Sequence, residues 1–440
     1  MEVRYRKLKT ENEDIFETEP KSRIKKGHPS KRYFIVVALL GILFLGYVAI
    51  AYDLKPARLG SKAIDTLAFS FNLQKPFYVV VIDAGSTGSR ALAFSFHESI
   101  LGVLLDKVKK VIPRSEWQHT PLTMRATAGL RLLPGHKAQE ILQECRKMFE
   151  ESGFQISKNS ISIMEGRDEG IFSWFTVNFL LERFNAHNSG STVAALDLGG
   201  GSTQVTFSPD PSQEKKLDGH IYSVNIFSHN MSVYTHSYLG MGLMAARKEI
   251  LTHGMNLDNA NPKTTIEVRS ECVNPIVSTK WGYGGLNYLI KGPMNGTHKL
   301  VKTQTFAGGE VDRPIVNFSE CVKIIEKYVG KIKTKPEGLK HHEIHAFSYY
   351  FERATEVGLI DPFFGGAIQV SAFLKQAMDA CDYPNTDQPF ICLDLTFIYV
   401  LLRDGFGLEP TTKIHLYKKI NGHELSWALG AAFNIIQNGL

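Results

Sequence analysis

One pattern is written twice in this chain. The apolar run VVVI ends in Asp83 and the loop AGSTGS, after which ALAFSF resumes; 114 residues later VAALDLGGGSTQVTF repeats the sentence around Asp197. Apolar runs broken by Gly, Ser and Thr predict strand, loop, strand in each copy. An internal repeat of this kind constrains the fold more than any single segment. Two similar α/β lobes, with their loops facing each other across a cleft, are the simplest solution.

The loops carry a chemical expectation as well. Small residues leave consecutive backbone N–H groups unobstructed, and such a concavity suits phosphate oxygens. A single copy reads equally well as a hairpin turn that needs Gly and Ser. The pair, each opened by an Asp, reads as a clamp on one polyphosphate, with Asp83 and Asp197 holding a hydrated divalent cation. Hydrolysis also needs a group that accepts a proton or hydrogen bond from water. The candidate is Glu169 in GRDEGIFSWF, with Asp168 as its competitor or simply an N-cap; Trp174 reads as core.

Between and after the repeats, strands and helices alternate, which predicts an α/β architecture. Strands are expected at MRATAG and 161–164. Helices are expected over 137–151, 169–183, 239–252 and 321–329, and at LSWALGAAFNIIQ, whose small residues suit close packing on a sheet. The basic stretch Lys21–Arg32 precedes the apolar run Tyr33–Tyr52, long enough to span a bilayer as a helix. Positive charge before the span predicts a type II protein with its body outside the cytosol. Ala49-Ile50-Ala51 offers the rival reading of a cleaved signal. The expected organisation is a cytosolic tail (1–32), an anchor (33–52), a stem (53–76), a first lobe (77–190, rejoined by 425–440) and a second lobe (191–424).

Lys and Arg number 50 against 44 Asp and Glu, a net +6, and part of that excess sits in the N-terminal stretch. Nucleic-acid binding is therefore not indicated. Export would make the sequons at Asn230, Asn295 and Asn317 usable, and would let four of five cysteines pair. The favoured pairs are Cys272 with Cys321 and Cys381 with Cys392, leaving Cys145 as a semi-buried free thiol.

VVVIDAGSTGSR, MRATAGLRLLPG, SIMEGRDEGIFSWFTVNFL, ALDLGGGSTQVTF and ELSWALGAAF resemble, in order, the five apyrase conserved regions of the nucleoside triphosphate diphosphohydrolase family. HSYLGMGLMAAR and FSYYFERATEVGLID resemble its single-anchor endoplasmic reticulum and Golgi members most closely. The resemblance runs from about Phe77 to the C-terminus. It implies a two-lobed actin-like (ribonuclease H-like) fold preceded by a transmembrane helix, and hydrolysis of a terminal phosphate with Ca²⁺ or Mg²⁺. It implies that Glu169 is the base and that Asp83 and Asp197 hold the cation through water. Ser86, Thr87 and Gly88 would bind phosphate from one lobe, and Gly200, Gly201 and Ser202 from the other. Thr127 and Gln204 would lie near the attacking water, and Tyr349 or Tyr350 would stack on the base.

One departure stands against these matches. Only 34 positions separate Arg90 from Met124, about half the interval usual in that family, leaving little room for a third strand in the first lobe. The leading expectation is a monomeric, lumenal nucleoside diphosphatase acting on UDP or GDP. Its alternatives are an apyrase that also takes triphosphates and, because of the short segment, a nucleotide-binding isoform without turnover. A kinase of the same superfamily is disfavoured because no second-substrate motif is evident and Glu169 stands where a water-activating base belongs, and a type II glycosyltransferase is disfavoured by the paired loops.

Overall fold

The computed structural model describes residues 79–84, 97–184 and 192–438, apart from 213, 218, 228, 258–259, 295–298 and 305–307. The expected tail, span, stem and ALAFSF strand lie outside the described residues, as do Ser86, Thr87, Gly88 and Asn295. Among the described residues no helix is long and apolar enough to cross a membrane.

A small sheet comes first: β1 (Val80–Ala84), β2 (Leu122–Ala126) and β3 (Ile161–Ile163), all parallel, in that spatial order. Parallel neighbours need crossovers. Helix α1 (His97–Val111) lies between the first two strands and α3 (Gly135–Glu150) between the last two, with the short α2 (Ala128–Arg131) directly after β2. Helix α3 shows why such a segment folds as it does, because Ala138, Leu142, Cys145 and Phe149 recur at helical spacing and all four are buried. They pack with Ile82, Leu101, Leu105, Leu122 and Met124 into the core of this sheet. From 97 to 121 there is only α1 and a 3₁₀ turn, Arg114–His119. The short interval thus adds no strand among the described residues.

Helix α4 (Gly166–Leu180) begins three residues earlier than its sequence pattern suggests. Apolar residues encircle it, the mark of a helix packed on several sides. Beyond it stands a seven-stranded mixed sheet. Strands β4 (Ala194–Leu198), β5 (Ser202–Phe207), β6 (Ile221–Ile226) and β7 (His229–Leu239) pair antiparallel, and α5 (Leu243–Leu251) follows. An excursion then supplies β8 (Thr265–Arg269), β9 (Ser278–Tyr283), β10 (Leu286–Lys291), β11 (Lys299–Gln304) and β12 (Glu310–Ile315), in two small sheets. After α6 (Phe318–Val329) the chain re-enters the large sheet with β13 (Ile344–Ser348). There follow α7 (Tyr349–Glu356), β14 (Gly366–Gln369), α8 (Val370–Asp382), α9 (Ile391–Val400) and β15 (Lys413–Leu416). The strand order is β14-β15-β13-β4-β5-β7-β6, with β15, β13 and β4 parallel.

The chain closes with α10 (Trp427–Asn438). Its small residues serve a helix–helix seam: a Cβ on Gly430 would stand 2.4 Å from the Phe172 carbonyl of α4. The Gly430 amide also donates to Thr176 Oγ1 at 3.1 Å. Disulfides join Cys272 to Cys321 and Cys381 to Cys392. Cys145 is buried rather than half-buried, and burial pushes its thiol up to about 11, which leaves it inert.

Candidate active site

Glu169 sits in the first turn of α4, buried, and forms an ion pair with Arg131 at the end of α2. The next residue explains why a glycine follows. A Cβ on Gly170 would stand 2.3 Å from Thr235 Oγ1 and 2.7 Å from Thr206 Oγ1, so only Gly lets α4 settle onto β5 and β7. Asp168 points elsewhere: it is exposed and paired with Arg167 at 3.0 Å. Nor is it the N-cap, which is Glu165.

Asp197 stands near the C-terminal end of β4, in the middle of the large sheet. Its carboxylate accepts hydrogen bonds from Ser173 Oγ at 3.0 Å and from Ser348 Oγ at 2.7 Å. Ser173 lies one turn beyond Glu169 on α4, so both side chains point from one helix face. Ser348 makes the turn from β13 into α7 at φ +58°, a conformation that is costly for a residue with a Cβ. Burial raises the Asp197 carboxyl above its usual range, against the pull of these two hydroxyls. A nearby cation is the natural compensation for such a group.

The second glycine loop joins β4 to β5. Its carbonyls are turned back onto the first three residues of α5 and onto Gly240, three residues before it. Gly199 O accepts from Leu243 N, Gly200 O from Met244 N and Ala245 N, and Gly201 O from Gly240 N, all at 2.8–3.0 Å. Gly242 makes this approach possible, since a Cβ there would stand 2.4 Å from Ser202 N. The Gly199 amide is committed too, donating to Ser202 O at 3.0 Å, and Gly199, Gly200, Gly201 and Ser202 all line the cleft. Thr127 and Ala128 line the same cleft from the turn from β2 into α2, and a Cβ on Gly201 would stand 2.8 Å from Ala128 Cβ.

Gln204 is buried beside this loop, and its amide donates to Ser202 Oγ at 2.7 Å and Ser237 Oγ at 2.9 Å. Arg131 reaches the same Ser237 hydroxyl at 3.5 Å. One chain of contacts therefore runs from Glu169 through Arg131, Ser237 and Gln204 to Ser202. The Gln204 carbonyl oxygen is buried with no partner among the described residues.

The structure brings Thr127, Glu169, Asp197, Gly200, Gly201, Ser202 and Tyr349 to one cleft. Asp83 is the fourth residue of β1, in register with Arg125 of β2. The two tyrosines separate: Tyr349 lines the cleft, whereas Tyr350 is fully buried in the core of the large sheet and is absent from the lining. Outside the cleft, Asn230 is exposed, while Asn317 is half-buried and accepts a hydrogen bond from Ser319 at 2.9 Å. Trp174 is core. Four polar partners escaped the sequence reading: Arg131, Ser173, Ser237 and Ser348. The available signal for the first two was spacing, since each stands one helical turn after a residue already suspected.

Glu169, Asp197, Glu352 and Glu424 line the cleft, with Lys418 the cation among the lining residues. A polyphosphate enters such a site favourably only with a cation of its own. Carboxylate and hydroxyl oxygens are hard ligands of the kind a divalent cation takes. Asp197, already accepting two hydroxyls, suits contact through the cation's water shell.

A model of the GDA1/CD39 (nucleoside phosphatase) family matches residues 97–439. The chain belongs to the GDA1/CD39 family. That membership makes it a hydrolase acting on phosphoric anhydrides. It is 35% identical to the nucleoside diphosphate phosphatase ENTPD5 of Homo sapiens over 398 residues, covering 82% of this chain and 88% of that protein. It is 34% identical to ectonucleoside triphosphate diphosphohydrolase 6 of Homo sapiens over 420 residues, covering 87% and 82%. Among solved structures, a nucleoside triphosphate hydrolase from Neospora caninum aligns with a TM-score of 0.48 at 13% identity, covering 80% of this chain and 81% of that one. The GDA1/CD39 match begins at residue 97, after the first loop.

Proposed function

We propose that this chain removes the terminal phosphate of nucleoside diphosphates, UDP and GDP, in the lumen of the secretory pathway. The observation that carries the reading is Glu169, a buried carboxylate fixed by Arg131 in a cleft walled by the Gly199–Ser202 loop. Glu169 accepts the proton or hydrogen bond of a water aimed at the terminal phosphorus. Gln204, buried behind the cleft lining, would act near the attacking water through Ser202 Oγ, to which its amide donates at 2.7 Å. Thr127 and the amides of Gly200, Gly201 and Ser202 bind the phosphate oxygens on which charge accumulates, as do Ser86, Thr87 and Gly88 of the first loop. A divalent cation, Ca²⁺ or Mg²⁺, would be held through water by Asp197 and Asp83, where it neutralises phosphate charge. Catalysis on this reading rests on positioning and preset donors, with no phosphoenzyme.

Diphosphate preference is supported by the likeness to the Homo sapiens nucleoside diphosphate phosphatase ENTPD5. Tyr349 is the base-stacking candidate that lies in the cleft. Lumenal placement is supported by the basic stretch before Tyr33–Tyr52 and by two disulfides, which persist in oxidising compartments. We read the architecture as actin-like lobes over 77–190 with 425–440, and over 191–424, acting as a monomer anchored by its N-terminal span.

The test is phosphate release by the full chain from UDP, GDP, ADP and ATP, with Ca²⁺, Mg²⁺ or chelator. Release from UDP and GDP above ATP, abolished by chelation, is expected. Equal rates on ATP would make the protein a broader apyrase. Nucleotide binding without release would make it a binding isoform.

A further inference from the structure

Away from the cleft, the sheet gathers a second set of metal-ligating side chains. Parallel strands β13 and β15 pair His345 directly with His415. Parallel in-register neighbours project to the same face, and the two imidazoles stack 4.9 Å apart at 11°. Glu343 precedes His345 by two residues, and its Oε1 lies 2.8 Å from His345 Nε2. One ligand atom from each of the three residues falls within 4.8 Å of the other two. His345 stands three residues before Ser348, about 10 Å along β13 at the usual rise per residue.

The buried histidine points to a missing partner. His345 is 3% exposed, and Glu343 accounts for one ring nitrogen only. Its Nδ1 is buried with no partner among the described residues. A polar atom left unpaired in the interior is costly, and a cation that takes a lone pair is one remedy. Arg183 holds the other oxygen of Glu343 at 3.0 Å, as outer partners orient metal ligands elsewhere. On the far side of His345 the neighbouring strand offers Ala195, and the Tyr417 ring stacks on the imidazole with centroids 6.0 Å apart.

We propose that Glu343, His345 and His415 bind one borderline divalent cation, Zn²⁺ by ligand chemistry, with solvent completing the coordination. Two imidazoles and a carboxylate are a Zn²⁺ set rather than a Ca²⁺ or Mg²⁺ set. Tetrahedral bonds of about 2.0–2.2 Å would bring the ligand atoms to roughly 3.4 Å apart. Exposed Glu343 and half-exposed His415 can supply that movement. The ion would tie β13 to β15 and, through Glu343 and Arg183, to the segment following α4.

The test is calorimetric titration of the full chain with Zn²⁺ in excess Mg²⁺, paired with Co²⁺ absorption spectra and circular dichroism. One Zn²⁺ per chain is expected, together with a visible Co²⁺ band typical of four or five ligands. His415→Asn and Glu343→Gln should each weaken binding at least about 100-fold and remove the band, with the circular dichroism unchanged. Glu343 is exposed, so its variant keeps the test open if the histidine variant misfolds. Absence of stoichiometric Zn²⁺ binding by the parent chain, or unchanged binding in either folded variant, overturns the proposal.

Discussion

The ion pair between Arg131 and Glu169 is the most exposed point of the account. Their side chains are 16% and 8% accessible, so the pair is largely withdrawn from water. Breaking a buried pair by removing one partner costs about 3–5 kcal/mol, because a charge is left in a poor solvent. The opening at the cleft admits some water, which puts Arg131→Met at about 2–4 kcal/mol. Glu169→Gln leaves the guanidinium facing a neutral amide and should cost about 1–3 kcal/mol. The double variant leaves neither charge behind. It should therefore be no less stable than Arg131→Met alone, with a coupling energy of about 2 kcal/mol. Urea unfolding measures all four proteins, and an unchanged m-value shows that the comparison is between like states. The rate carries a parallel expectation. An unheld base is a poor one, so both single variants and the double should fall by about 10²–10⁴ to a common floor. Stability losses that add to within about 0.5 kcal/mol would refute the pairing, as would an Arg131→Met enzyme with its rate intact.

Other consequences follow from packing, titration and covalent topology. Gly430→Leu pushes a side chain into the Phe172 backbone of α4, which cannot rotate away; a loss of about 2–3 kcal/mol in thermal or urea unfolding is expected. Burial and the charge of His220 depress His236 from 6.5 to about 4, so the unfolded chain binds the proton first. Stability should be full above pH 6.5 and decline between pH 6.5 and 4. After solvent screening of this half-buried ring the decline is about 1–2 kcal/mol, and His236→Gln should flatten it in unfolding curves measured across that range. By loop entropy the Cys272–Cys321 bridge, closing 49 residues, should contribute about 4 kcal/mol, and Cys381–Cys392, closing 11, about 3 kcal/mol. Paired Cys→Ser variants compared by unfolding check that order.

What could be read before the structure was local. The repeated loop marked β4 and β5 nearly to the residue, because Gly and Thr punctuate apolar runs where chain direction reverses. The spacing of Ala138, Leu142, Cys145 and Phe149 marked α3 for the same kind of reason. What escaped depends on distant segments. Ser348 serves Asp197 from 151 residues away, and no period announces it. The three aromatics Tyr349, Tyr350 and Phe351 were indistinguishable as a string, and only the start of α7 at Tyr349 decides that Tyr349 and Phe351 meet the cleft while Tyr350 does not. His345 and His415 are neighbours because β13 pairs with β15, which is a property of strand order and not of composition.

The central claim is that water, activated by Glu169, attacks the terminal phosphorus of a nucleoside diphosphate. Hydrolysis of UDP by the full chain in ¹⁸O-labelled water, with and without Glu169→Gln, addresses it directly. The account predicts one ¹⁸O atom in the released phosphate, none in UMP, and a rate reduced at least about 10²-fold by the substitution. Label in UMP, or an undiminished rate in the Glu169→Gln protein, would contradict it.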